Sequence, residues 1–350
     1  MISVVLVHIK SSRIRAIEEE TQMKAVVYTK YGPPEVLQLK EITKPAPTDN
    51  QVLVKVHAAS ANALDYRRFE GKPTALGRFM DSVLLKATNK VLGADIAGRV
   101  EAVGAAVKQF RPGDEVFGKS AGSKGAFAEY ACAAENQLAL KPATVSFEAA
   151  ASVPVAAVTA LQGLRDKGRI QPGHKVLING ASGGVGTFAV QIAKSFGAEV
   201  TAVCSARNLD MARSIGADQV IDYTKEDFTQ SGQRYDLIIA VNGYHSILEY
   251  RRALSPGGAY VAIGGSLAQI FQAMLLGPLV SRIGGKKTGF MGIEKINPED
   301  LAFVGKLLAD GKVVPVIDRR FPLSEVAEAI RYLAEGHARG KVVITIDQNN

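Results

Sequence analysis

The residues best placed to do chemistry lie between positions 175 and 196. Asn179-Gly180-Ala181-Ser182-Gly183-Gly184-Val185-Gly186 sets a small-residue turn after the apolar run Val176-Leu177-Ile178 and before a stretch in which Phe188, Ile192 and Phe196 recur every four residues. The apolar run reads as a buried parallel strand and the later spacing as one face of a helix. A strand, a glycine-rich turn and a helix in that order can hold a pyrophosphate. The glycines let the backbone come close, and the first-turn N–H groups with the helix dipole favour the anion. Aligned on G-x-G-x-x-G, Ala181 stands at the first glycine, with Gly183 and Gly186 at the other two. Ala181, Ser182, Gly183, Gly184, Val185 and Gly186 are the candidate dinucleotide contacts.

Which dinucleotide is read at the end of the next strand, where NAD-binding folds place an acid for the ribose hydroxyls about 20 residues on. Here Glu199-Val200-Thr201-Ala202-Val203 runs into Cys204-Ser205-Ala206-Arg207, without a carboxylate. A hydroxyl and a guanidinium can give charge-assisted hydrogen bonds to a 2′-phosphate that a carboxylate would repel. The expected cofactor is NADPH; the alternative for Arg207 is a solvated residue at a helix start.

The elements that must position these residues fall into two rhythms. Strand patterns at 24–28, 52–56, 99–103 and 115–117, with two more between 126 and 140, are separated by turns such as Arg111-Pro112-Gly113-Asp114 and predict a compact β-barrel over 23–150. From 151 helix and strand alternate, with helix at 155–164 and strands at 199–204, 219–222, 237–241 and 259–264. That alternation predicts a doubly wound parallel sheet over 151–289. Helices over 297–311 and 324–335 and strands at 313–317 and 341–346 follow, and 290–350 is expected to return to the barrel domain. Residues 73–92 read as a surface helix or a mobile lid. Residues 267–283 are apolar but interrupted, and shorter than the ~20 residues a spanning helix needs. Pocket wall, subunit interface and membrane-surface contact all remain open for them.

The first 22 residues read as an extension or an upstream start. Their apolar run has no basic segment before it, and Glu18-Glu19-Glu20 does not suit a transit peptide. The chain has 350 residues, 47% hydrophobic and 22% charged, an ordinary globular composition. Two cysteines cannot supply a disulfide framework, so a reducing, cytoplasmic compartment is expected. The net charge of +8 comes without a long basic block, which argues against nucleic acid as a partner. A homodimer is the expected assembly.

With these pieces in place the sequence resembles the medium-chain dehydrogenase/reductase superfamily, and within it the zinc-independent quinone oxidoreductase branch that includes zeta-crystallin. The resemblance rests on Gly173-His174, Leu177, the run Ala181 to Gly186, Gln191 and Lys194. Further matches are Gly93-Ala94-Asp95-Ile96-Ala97-Gly98, Arg111-Pro112-Gly113-Asp114, Thr159-Ala160-Leu161 and Gly340-Lys341-Val342-Val343. It implies a chaperonin-10 (GroES)-like β-barrel catalytic domain, a Rossmann domain after it and a C-terminal return to the barrel. It also implies that Ser205, Arg207 and Tyr223 surround a 2′-phosphate, with Asn208 where several relatives carry a lysine. Thr159, Asn242, Gly264 and Lys341 fall where the family contacts the cofactor. Zinc-dependent members place a cysteine after the 52–56 strand and a Gly-His-Glu later; this chain has Ala58 to Asp65 and Gly93-Ala94-Asp95. Without thiolate or imidazole ligands no metal is expected.

Lacking zinc, a saturated alcohol has nothing to lower its hydroxyl pKa, whereas a quinone or enone is already electrophilic. The expected activity is hydride transfer from NADPH to such an acceptor. Asn62, matching the family's loop asparagine, is the expected oxyanion donor. Asp65, Tyr66 and Arg67 follow as catalytic candidates: Tyr66 or Arg67 toward the substrate oxygen, Arg67 alternatively toward Asp65, and Asp65 toward the loop itself. Two alternatives stand beside this: a 2-alkenal or enoyl reductase of the same fold, and a low-turnover NADPH-binding protein with a structural or membrane-surface role.

Overall fold

The computed structural model describes residues 21–29, 32–70, 90–121, 125–243, 245–265, 267–282, 285–292 and 294–347, the side chains of 67–70, 90, 267 and 268 excepted. The first 20 residues and most of the expected 73–92 helix lie outside the described residues.

The first half is built from β1 (Gln22–Tyr28), β2 (Gln38–Thr43), β3 (Gln51–Ala61), β4 (Lys90–Val91), β5 (Asp95–Val103), β6 (Glu115–Lys119), β7 (Tyr130–Ala134) and β8 (Leu138–Leu140). The parallel sheet comprises β9 (Lys175–Asn179), β10 (Glu199–Cys204), β11 (Gln219–Asp222), β12 (Tyr235–Ala240), β13 (Leu254–Ala262) and β14 (Lys287–Phe290). The chain closes with β15 (Ile317–Pro322) and β16 (Lys341–Thr345).

The parallel strands pair in the order β11-β10-β9-β12-β13-β14, so the strand order reverses between β9 and β12. Ligands of open α/β sheets bind outside the carboxyl ends of the strands at such a switch point. The glycine turn leaves β9 at that edge. The antiparallel strands form a sheet ordered β15-β16-β3-β5-β6-β8, with β7 also on β3, beside the small sheet β2-β1-β4. This is the β-barrel plus doubly wound parallel sheet that the two sequence rhythms predict, in the GroES-like and Rossmann forms that the resemblance implies.

The core explains why the halves hold together. Ala58, Ala97 and Phe117 of the barrel pack with Val158 and Leu161 of helix Pro154–Gln162 and with Leu301 and Val304 of helix Pro298–Ala309. The barrel's own core takes in Phe321, Ile330, Val342 and Ile344 from the tail. β14 runs to Phe290, helix Pro298–Ala309 packs in the core common to both halves, and β15 begins the tail's pairing into the barrel sheet at Ile317.

The strand expected at 313–317 is displaced to Ile317–Pro322. Pro315 cannot donate to a ladder. Val314 bonds the Gln191 side chain instead, its N–H donating to Oε1 at 2.8 Å and its carbonyl accepting from Nε2 at 3.0 Å. The apolar segment 267–283 becomes helices Leu267–Leu275 and Gly277–Val280, with Phe271, Met274, Leu275, Leu276 and Leu279 exposed.

Candidate active site

The turn after β9 divides its work among the glycines differently from the sequence alignment. Gly180 takes φ +86°, and a Cβ there would lie 2.7 Å from the Asn242 nitrogen. A Cβ on Gly186 would run into the Gly180 carbonyl oxygen. Gly180 therefore makes the tight turn and Gly186 the close helix approach. Ala181, expected among the cofactor contacts, is wholly buried, and its N–H donates to the Val203 carbonyl at 3.1 Å. Gly183 stands at the helix N-cap in extended conformation, and the first-turn N–H groups of Gly184, Val185 and Gly186 in helix Gly184–Ser195 have no acceptor within the helix. Ser182 and Val185 are half-buried in the same turn.

The tail completes this cradle. Gly340 bridges in parallel to Gly183, and a Cβ on Gly184 would meet Lys341 Cδ at 3.2 Å and the Gly340 carbonyl at 3.4 Å. A Cβ on Gly183 would meet only the Gly180 carbonyl oxygen, at 3.7 Å, so the turn is open at its helix N-cap, which fits a dinucleotide phosphate. Asn242 lies exposed beyond the end of β12, and Gly264 follows β13 with its N–H donating to Ala240 at 3.3 Å.

At the other end of the turn's reach, β10 and β11 finish side by side, with Cys204 in register with Asp222. Ser205 Oγ accepts from Asn208 Nδ2 at 3.1 Å. Tyr223 is exposed, its N–H on the Cys204 carbonyl at 3.2 Å. Arg207 is exposed too, with Nη2 at 3.4 Å from the His337 carbonyl. A carboxylate does lie here, but it faces the backbone: Asp222 Oδ1 accepts from Thr224 Oγ1 at 2.8 Å and Thr224 N at 3.1 Å. The Thr224 hydroxyl, with backbone N–H groups of Thr224 and Ala206 and nearby Lys225, holds its pKa below the usual carboxylate range. The residues presented outward thus fit a 2′-phosphate.

Between the barrel and the glycine turn sits a buried polar cluster. Lys341 Nζ, at 2% side-chain exposure, donates to Asn62 Oδ1 at 2.8 Å and pairs with Asp95 Oδ2 at 3.3 Å. Asn62 Nδ2 donates to the same Asp95 oxygen at 2.9 Å and lies 3.5 Å from the Ser60 carbonyl. Asn62, expected as a donor to substrate, therefore has its amide engaged inside the protein. Asp65 orients the loop: its Oδ2 accepts the Asn62 N–H at 2.8 Å. Tyr66 is half-buried against the barrel core, and the Arg67 side chain lies outside the described ones. Thr159 is buried on helix Pro154–Gln162, one turn beyond Val155, whose N–H donates to Asp95 Oδ1 at 2.9 Å.

The structure thus brings Asn62, Lys341 and the glycine turn together, and places Ser205, Arg207 and Tyr223 at a separate corner. Sequence reasoning missed Asp95 and Ser60. Gly93-Ala94-Asp95 enters the sequence reading as part of the family resemblance and as a segment lacking a metal ligand, with no role given to the Asp95 carboxylate. Among the described residues no group of three or more His, Cys, Asp or Glu is placed to hold a metal ion, and no helix is long and apolar enough to cross a membrane.

Residues 215–344 match the family described as zinc-binding dehydrogenase, and residues 48–143 the alcohol dehydrogenase GroES-like domain. The chain is similar to a 2-methylene-furan-3-one reductase of Solanum lycopersicum, 36% identical over 95% of this chain and 83% of that protein. It is equally similar to an NADPH-dependent alkenal/one oxidoreductase, chloroplastic, of Arabidopsis thaliana, 36% identical over 92% of this chain and 79% of that protein. Among solved structures, the quinone oxidoreductase from Coxiella burnetii superposes with a TM-score of 0.81 at 32% identity, covering 93% of this chain and 100% of that one.

Proposed function

We propose, from the premise that the chain belongs to the medium-chain dehydrogenase/reductase family and is an oxidoreductase, that it reduces quinones or other conjugated carbonyls with NADPH and without zinc. The observation that carries this is that Lys341 joins the glycine turn to the buried polar cluster, its Cδ beside Gly184 and its Nζ on Asn62 and Asp95. NADPH, when bound, supplies a hydride from its C4 carbon. The turn's N–H groups and Arg207 hold phosphates, while Lys341 and Asn62 orient the reacting end and the buried walls exclude water. The acceptor takes the hydride at an electrophilic carbon and one proton at oxygen or at the adjacent carbon. Zinc independence is supported by residue type, since Ala58 to Asp65 and Gly93-Ala94-Asp95 offer neither thiolate nor imidazole.

A 2-alkenal or enone reductase is the second reading. It is favoured by the two relatives reported above, one named for an exocyclic enone and one for alkenals. Absorbance of NADPH and NADH is followed with ortho- and para-quinones, enones, alkenals and saturated aldehydes, with metal analysis alongside. Loss of NADPH with quinones supports the first reading and a preference for alkenals the second. NADPH binding without oxidation by any acceptor points to the low-turnover binder. Stoichiometric zinc with alcohol oxidation overturns the proposal.

A homodimer is supported by β14, which forms the open edge of the parallel sheet, beside the exposed apolar residues of helices Leu267–Leu275 and Gly277–Val280. A cytoplasmic, reducing setting is supported by Cys132 and Cys204, both buried and neither in a disulfide.

A further inference from the structure

We propose that Asp95 is a positioning residue for hydride transfer, setting Lys341 and Asn62 in place without itself meeting cofactor or acceptor. This rests on the reading above that the nicotinamide lies beside those two residues. Asp95 has no exposed surface, and a buried carboxylate is costly unless paired and hydrogen-bonded. Four donors from separate parts of the chain converge on it. Ser60 Oγ at 2.8 Å, Asn62 Nδ2 at 2.9 Å and Lys341 Nζ at 3.3 Å meet Oδ2, while the Val155 N–H meets Oδ1 at 2.9 Å. Val155 lies in the first turn of helix Pro154–Gln162, where the helix dipole favours a negative charge. Asp95 is thus the point at which the barrel, the return strand and the first helix of the second half are tied together.

The carboxylate also decides which way the Asn62 amide faces. Nδ2 meets Asp95, and Oδ1 accepts from Lys341 Nζ at 2.8 Å. Turned over, the amide would set oxygen against carboxylate and NH2 against ammonium. Lys341 has two of its three N–H directions committed, to Asn62 and Asp95, and that fixes the course of the third. Removing the charge on Asp95 frees both cleft residues and deletes no group that touches the cofactor.

The test compares wild type, Asp95→Asn, Asp95→Glu and Ser60→Ala as full chains. Three quantities are read: the fluorescence yield of bound NADPH, its Kd, and the single-turnover rate with NADPH deuterated at C4. Asp95→Asn is expected to slow hydride transfer about tenfold or more, since a misplacement on the order of 1 Å can cost as much as about 100-fold. The fluorescence yield should change with it, and the Kd should stay within about threefold, the phosphates being held at the glycine turn. Asp95→Glu keeps the charge but shifts the carboxylate, and should not restore the rate; restoration there would make Asp95 a mere counter-charge and overturn the proposal. Should Asp95→Asn fail to fold, Ser60→Ala carries the test, with a slower rate at an NADPH Kd close to the wild type's expected and a wild-type rate overturning. If the wild type binds NADPH yet reduces no acceptor, the proposed function fails by itself. Fluorescence then decides: an unchanged yield in Asp95→Asn overturns the role of Asp95.

Discussion

In the proposed NADPH complex Arg207 carries the choice of cofactor: the Asp222 carboxylate is held by Thr224, and the guanidinium stands exposed at the corner with Ser205 and Tyr223. On the proposed reading, Arg207→Ala removes a charge-assisted hydrogen bond to the 2′-phosphate, a group that NADH lacks. Steady-state kinetics should show KM for NADPH rising about tenfold while KM for NADH stays level; an equal loss for both cofactors would make Arg207 structural. The absent acid and the arginine were legible from the chain alone, since both lie within a few residues of a recognisable strand. The engagement of the Asn62 amide was not. Its partner Lys341 is 279 positions away, and no local pattern reports such a neighbour.

At the scale of elements, the β9 turn tolerates no Cβ at Gly186. Gly186→Ala drives a methyl into the Gly180 carbonyl, so the helix must move away from the strand. An overpacked core position costs about 1–3 kcal/mol, and here the shift also spoils the N–H cradle. Thermal unfolding should register the lower Tm and calorimetry a weakened affinity for NADPH. Helix Pro298–Ala309 is held by a different device. Asp300 accepts from Arg165 Nη1 at 2.7 Å, Gln162 Nε2 at 2.7 Å and Asn297 Nδ2 at 2.9 Å. Burial alone would raise its pKa, but those hydrogen bonds outweigh it and hold the carboxyl below its ordinary value. A folded-state pKa below the unfolded one gives stability that is present above the unfolded pKa of about 3.9 and lost as pH falls through the folded value. Asp300→Asn should therefore cost about 2 kcal/mol near neutral pH. In urea titrations that difference should fade below about pH 4; a constant difference down to pH 2 would contradict it. The helix itself was read from periodicity. Its place in the core that Pro154–Gln162 shares with Ala58, Ala97 and Phe117 of the barrel follows from Asp300 and Leu301 and was not readable from spacing.

Across the whole molecule, the parallel sheet leaves β14 as an outer strand, and the neighbouring helices expose Phe271, Met274, Leu275, Leu276 and Leu279. An apolar face next to an open edge is the expected seat of a second copy. Light scattering after gel filtration should find a dimer for the wild type and a monomer for the double variant Leu275→Asp/Leu279→Asp, with NADPH affinity retained. A monomeric wild type would leave that face to another partner and remove the homodimer from the proposal.

The sequence by itself determined the two kinds of architecture, the position of the nucleotide turn and the missing acid after β10, because each is written in residues close together along the chain. Only the tertiary structure decided where the tail goes: Gly340 against Gly183, and Lys341 into the cluster of Asn62, Asp95 and Ser60. Those contacts join the two ends of the chain. They depend on how two separately patterned cores pack together, and on the need of a buried lysine and a buried aspartate to find each other.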